Sequence, residues 1–109
     1  MTILRLDAAE LVDDFHEAFS NAFGFFDGYG RNMDAWIDVM SSMTDSPPGL
    51  SDFRLQKGET LTLYVQNAQI LKDRRPEIYI DLLECTALVN ARYARVGEPA
   101  PIALALEVQ

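Results

Sequence analysis

Three short segments rich in β-branched and apolar residues punctuate this chain, and helical patterns fill the gaps between them. Thr2 to Leu6, Leu61 to Gln66 and Ile102 to Val108 read as strands. Antiparallel neighbours need only a tight turn, whereas parallel pairing needs a long crossover, usually a helix. The order β-α-α-β-α-α-β therefore predicts an α/β fold, a small three-stranded parallel sheet with helical crossovers. With 109 residues, 49% of them hydrophobic, one compact domain spanning residues 1–109 is expected. The nearly all-apolar last segment suggests a strand covered on both faces.

Local signals place the helices. Asp7 reads as an N-cap, and Glu10 three positions on resembles a capping box. Ala8, Leu11, Val12, Phe15, Ala18, Phe19, Ala22 and Phe23 form one apolar stripe, and Gly24 suits the left-handed position that ends a helix. Phe25 to Gly30 is a turn region. Asn32 then caps a second helix whose apolar face is Met33, Trp36, Ile37 and Met40. At about 100° per residue, Asp34, Asp38 and Ser41 fall together on a different face. Thr44 to Gly58 is loop-like, with Pro47-Pro48-Gly49 in its middle and Phe53 to Leu55 as a short strand turning at Lys57-Gly58. Ala68 to Arg74 forms one or two helical turns. Pro76 opens a long helix, Glu77 to about Val96, before Gly97 to Pro101 breaks it. Glu77, Asp81, Glu84, Arg92 and Arg95 share one stripe of it, acids early and bases late, as the helix dipole favours. Its other positions are mostly apolar, which predicts burial on a wide front.

Seventeen acids against nine bases give a net charge of −8. Binding phosphates takes Lys and Arg that displace counterions, so nucleic acid is not an expected ligand. Anionic membranes are disfavoured for the same reason. Basic proteins or cations are attracted. The start of the chain lacks a signal peptide's basic and apolar regions, and no apolar run approaches the ~20 residues of a membrane span, so a cytoplasmic protein is expected. Cys85 is the only cysteine and reads as a buried structural thiol; His16 is the only histidine and reads as a solvated surface residue. One His and one Cys support no nucleophilic pairing. There is no phosphate loop, and Gly28-Tyr29-Gly30 neither follows a strand nor carries the third glycine of a dinucleotide site. No catalytic residue, metal site or cofactor is expected. The remaining enzymatic alternative, Mg²⁺ held by Asp34 and Asp38, lacks the basic residues that would hold a polyanion.

The carboxylate pair has a modest structural explanation. Asp34 sits in the first helical turn, where exposed amides favour negative charge by ~0.3–1 kcal/mol. Asp38 lies a turn deeper, and the like-charge pair at i, i+4 costs ~0.2–0.5 kcal/mol. A cationic partner would turn that small penalty into a gain, because each carboxylate can accept hydrogen bonds from an arginine or lysine that otherwise grips phosphate. Tyr29 would supply a flat contact and Gly30 a point of close approach.

The run Tyr29-Gly30, Asn32, Met33, Asp34-Ala35, Trp36-Ile37, Asp38 resembles, without gaps, the recognition motif of the barstar family of intracellular ribonuclease inhibitors. The resemblance implies a barstar-like fold along most of the chain and a partner in the form of a cationic ribonuclease, blocked by an acidic helix whose carboxylates stand in for RNA phosphates. It implies a partner-binding set of Tyr29, Gly30, Asn32, Met33, Asp34, Ile37 and Asp38, with Asp38 the main plug, and a chain that is monomeric when free. The sequence departs from the family at four places. Gly28-Tyr29 replaces paired tyrosines. Trp36 precedes Ile37 rather than following it. Residues 44 to 60 are longer than the family's connection. Arg92 falls where the last helix of the family carries an acid, so Glu84 or Asp81 would have to supply that contact. A non-inhibitory interaction or regulatory module on the same fold is the alternative.

Overall fold

The computed structural model describes residues 1–45 and 49–108, so the Pro47-Pro48 part of the expected loop lies outside the described residues. The elements run β1 (Thr2–Asp7), α1 (Ala8–Phe23), α2 (Met33–Ser41), β2 (Leu61–Gln66), α3 (Ala68–Arg74), α4 (Pro76–Arg95) and β3 (Ile102–Leu106). The strands lie in the order β1-β2-β3 and pair in parallel throughout, with Leu4 beside Leu63 and Leu63 beside Leu104. The α/β fold and element order read from the sequence are those observed.

Period-2 alternation decides which face of the sheet is buried. Leu61, Leu63 and Val65 of β2 are fully buried, while Thr62, Tyr64 and Gln66 between them are half-buried. By register the second face also holds Ile3, Arg5 and Ala103. Ile3 is 47% exposed, and the Arg5 guanidinium lies 4.9 Å from the Tyr64 ring centroid on the same face. The sheet is therefore buried on one side only. This corrects the expectation that β3 is covered on both faces. β3 is an edge strand, ends at Leu106 rather than Val108, and exposes Ala103. Asn90 of α4 ties its start, donating to the Ile102 carbonyl at 3.0 Å and accepting from the Ile102 amide at 3.3 Å.

The helix caps behave as their residue types predict. Asp7 accepts from the Ala9 amide at 2.9 Å, and Gly24 ends α1 at φ 66°, ψ 56°. The interior of α1 differs from the expected continuous helix. Asp14 leaves helical geometry (φ −159°, ψ 99°) and its carboxylate accepts from the Glu17 amide at 3.1 Å, so it caps the second half from within. Helix α4 is also less covered than expected. Leu82, Cys85, Thr86, Val89 and Tyr93 form one buried stripe, but Ile80, Leu83 and Leu88 are exposed at 49%, 38% and 53%. The helix packs on α2, α3 and β3 from one side, and among the described residues no layer covers the other. Cys85 is buried, as its surroundings in sequence predict.

The long connection after α2 has a visible role. Asp52 and Phe53 donate their amides to the carbonyls of Gly24 (2.8 Å) and Phe23 (2.9 Å), and Phe26 donates to Leu50 (2.9 Å). Phe25 and Ser51 form an isolated antiparallel bridge. The segment thus stitches the end of α1 to the loop leading into α2. The expected strand at Phe53 to Leu55 is not formed, though the turn at Lys57-Gly58 is, closed by the Glu59 amide on the Gln56 carbonyl at 2.9 Å.

Gly24 is the tightest point of that stitch. A Cβ there would meet Asp52 Oδ2 at 2.6 Å in a backbone conformation that already disfavours side chains. Gly97, at φ +76°, has nothing within 4 Å of the same atom. Gly97→Ala should cost about 1–2 kcal/mol in urea unfolding, the left-handed penalty alone. Gly24→Ala should cost more. Equal losses would mean that Asp52 moves aside freely.

Candidate functional site

Everything the site presents depends on how α2 is rotated. Trp36 is completely buried, edge-on to Phe19 at 5.5 Å between centroids and 6.1 Å from Phe15. Ile37, Val39 and Met40 join it in the core, and Met33 packs against them half-buried. Burying side chains of this size yields ~1.5–3 kcal/mol each, far more than any surface charge term on the same helix. With that face sealed, Asp34 and Asp38 must point outward, and both are exposed. Asn32 starts the helix in extended geometry. Its Oδ1 accepts from the Ala35 amide at 2.8 Å, and its carbonyl accepts from the Trp36 amide at 3.0 Å.

The far end of α2 is held by α4. The Tyr93 hydroxyl donates to the Ser41 carbonyl at 2.8 Å and lies 2.9 Å from Thr44 Oγ1. Arg92 Nη1 donates to Asp38 Oδ1 at 3.1 Å and to Ser41 Oγ at 3.3 Å. Asp34 makes no ion pair among the described residues. Burial pushes the Cys85 thiol up, and the charges of Asp81, Glu84 and Asp34 push it further. Three carboxylates from two helices therefore act on one point of the α2–α4 seam, and Glu84 is exposed beside it.

Two residues of the sequence-predicted set are not surface groups. Ile37 is 7% exposed and belongs to the core, because the helical period that points Asp34 and Asp38 outward points it inward. Tyr29 is 9% exposed, its ring 4.7 Å from that of Phe25 and its hydroxyl 2.6 Å from His16 Nδ1. The flat contact expected of Tyr29 is thus turned into the protein. The same bond corrects the reading of His16 as solvated; it is half-buried and partnered. Gly30 and Asn32 are exposed as expected.

Between Gly30 and Asn32, Arg31 adopts a left-handed backbone, φ 53°, that glycine would accept more readily. Its guanidinium reaches Asp14 at 2.7 Å and Glu17 at 3.2 Å. The hydrogen bond donated by the Glu17 amide holds the Asp14 carboxyl below its usual range, with Arg31 adding to it. The kink in α1 and the loop before α2 are therefore one unit. Neither Arg31 nor Arg92 has a local sequence signal for its partner; the contacts span 14, 17 and 54 residues.

Among the described residues, no group of three His, Cys, Asp or Glu is placed to hold a metal ion. Among the described residues, no helix is long and apolar enough to cross a membrane. Compared with known proteins, residues 1–105 match the family model described as Barstar (barnase inhibitor). No curated protein matches the chain.

The half-buried His16 generates a pH prediction. Burial, and then the Arg31 charge, hold its pKa below the ordinary 6.5, against a smaller opposing pull from Asp14. Burial pushes the Tyr29 hydroxyl up to about 12, so it stays protonated throughout. Below the ordinary value of His16 the unfolded chain binds a proton that the folded chain resists. The unfolded state then holds more protons, and stability falls as pH drops through that window. Urea midpoints measured at about pH 7.5 and about pH 5.5 should decrease, and His16→Gln should flatten that decrease. An unchanged slope in the variant would assign it to carboxylates instead.

Proposed function

The chain belongs to the barstar family, whose members bind and inhibit ribonucleases, and from that membership we propose that it is a proteinaceous inhibitor of a cationic ribonuclease or toxin nuclease. The observation that carries the reading is the outward face of α2. It offers Asp34 and Asp38 one helical turn apart, both exposed, on a helix fixed by a fully buried Trp36. Carboxylates at that spacing can each take charge-assisted hydrogen bonds from the lysines and arginines of a phosphate-binding cleft. Gly30 and Asn32 at the helix start, Met33, and Glu84 across the seam extend the same surface. The net charge of −8 speeds encounter with a basic enzyme.

In this reading the protein performs no chemistry. It occludes an active site and needs no cofactor or metal. It acts in the cytoplasm, where it would protect the cell that makes it, and is a monomer when free. The burial of Tyr29 and Ile37 favours a second reading, in which the fold serves as an interaction module with no nuclease target, because it withdraws two of the expected contacts.

Capture of binding proteins from the source cells on immobilised protein, followed by a nuclease assay with and without the inhibitor, separates the two. Inhibition of a captured ribonuclease is expected. In that complex Asp38→Ala should cost several kcal/mol. Removing one partner of a desolvated charge pair typically costs 2–5 kcal/mol, a scale drawn partly from complexes of this family. Asp13→Ala, on exposed α1, should change affinity by less than about 0.5 kcal/mol. Equal and small effects would displace the site from α2.

A further inference from the structure

The two carboxylates of α2 are not in equal states. Asp34 is free of ion pairs among the described residues, whereas Asp38 already has a cation of the protein's own. Arg92 is held by two acceptors. The Ser41 hydroxyl spends its proton on the Ile37 carbonyl at 2.6 Å, which leaves its oxygen to accept from Arg92 Nη1 at 3.3 Å, while Asp38 Oδ1 accepts from the same nitrogen at 3.1 Å. The pair is open to water, with the Arg92 and Asp38 side chains 48% and 62% exposed. Arg92 also lines an open groove of about 420 Å³ with Ser41, Thr44, Lys57, Tyr93 and Glu98, so there is room for it to swing away from Asp38.

We infer that Arg92 is a specificity-determining residue of the acidic face, a built-in cation that competes with a partner's lysine or arginine for Asp38. This rests on the reading of α2 as the recognition edge. An incoming cation must either share Asp38 with a guanidinium already in place or drive Arg92 into the groove. Both weaken attraction at that carboxylate, and a cleft lined by cations alone is penalised most. The effect is modest, because an exposed ion pair is weak and screened by salt. It acts mainly on the encounter, where local charge sets the association rate.

The test is a double-mutant cycle with barnase as the probe at low salt, using wild type, Arg92→Ala, Asp38→Ala and the double variant. Far-ultraviolet circular dichroism checks that each is folded. Arg92→Ala should tighten binding by about three- to five-fold, mostly through faster association, the factor an exposed ion pair supports. The loss caused by Asp38→Ala should grow by the same factor on the Arg92→Ala background. Arg92→Lys keeps the charge and should stay within about two-fold of wild type. Binding by Arg92→Ala where wild type is silent also supports the inference. Unchanged or weaker binding by Arg92→Ala, with Asp38→Ala equally costly on both backgrounds, overturns it and leaves the inhibitor reading intact. No effect of Asp38→Ala on either background overturns the inhibitor reading itself. Absence of binding by all four proteins overturns both for this class of cleft.

Discussion

The burial of Trp36 is the contact on which the rest of the molecule depends. Its indole fills the space between α1 and α2, against Phe15 and Phe19, and fixes the rotation of a helix only nine residues long. A helix this short has little stability of its own, so its orientation is set by what it buries. Once Trp36, Ile37 and Met40 face inward, geometry places Asp34 and Asp38 on the water side. The indole N–H finds no hydrogen-bond partner among the described residues, a penalty on the order of 1–3 kcal/mol. The apolar area of the same side chain offsets it.

Charge is arranged around that helix in two tiers. Before it, Arg31 and the kinked Asp14 lock the entry loop to α1. Beside it, α4 contributes Asp81 and Glu84, whose charges act together with that of Asp34 on Cys85, and Arg92 against Asp38. The seam is therefore more negative at the start of α2 than at its end. A partner that docks there meets a graded field rather than a uniform acidic patch.

Much of this was legible in the sequence, and the remainder divides by physical cause. Asp7, Gly24 and Asn32 act through bonds to neighbours two to four residues away, so their residue types sufficed. The outward pointing of Asp34 and Asp38 follows from the helical period alone. The buried hydroxyl of Tyr29 was hidden because its partner, His16, lies on another element, and a tyrosine in a glycine-rich turn reads as equally fit for surface or core. The kink at Asp14 was masked by the apolar stripe that continues across it. The exposed side of α4 and the open face of the sheet escaped notice for a shared reason. Apolar content says which residues can be buried, but not how many layers there are to bury them.

In the proposed function the acidic edge of α2 occupies the place of RNA phosphates in a target cleft. Competition between this protein and a non-cleavable oligodeoxynucleotide for a captured ribonuclease measures that directly. Mutually exclusive binding is predicted, with the oligonucleotide displaced stoichiometrically as the protein is added. A ternary complex, with both ligands bound to the enzyme at once, would contradict it.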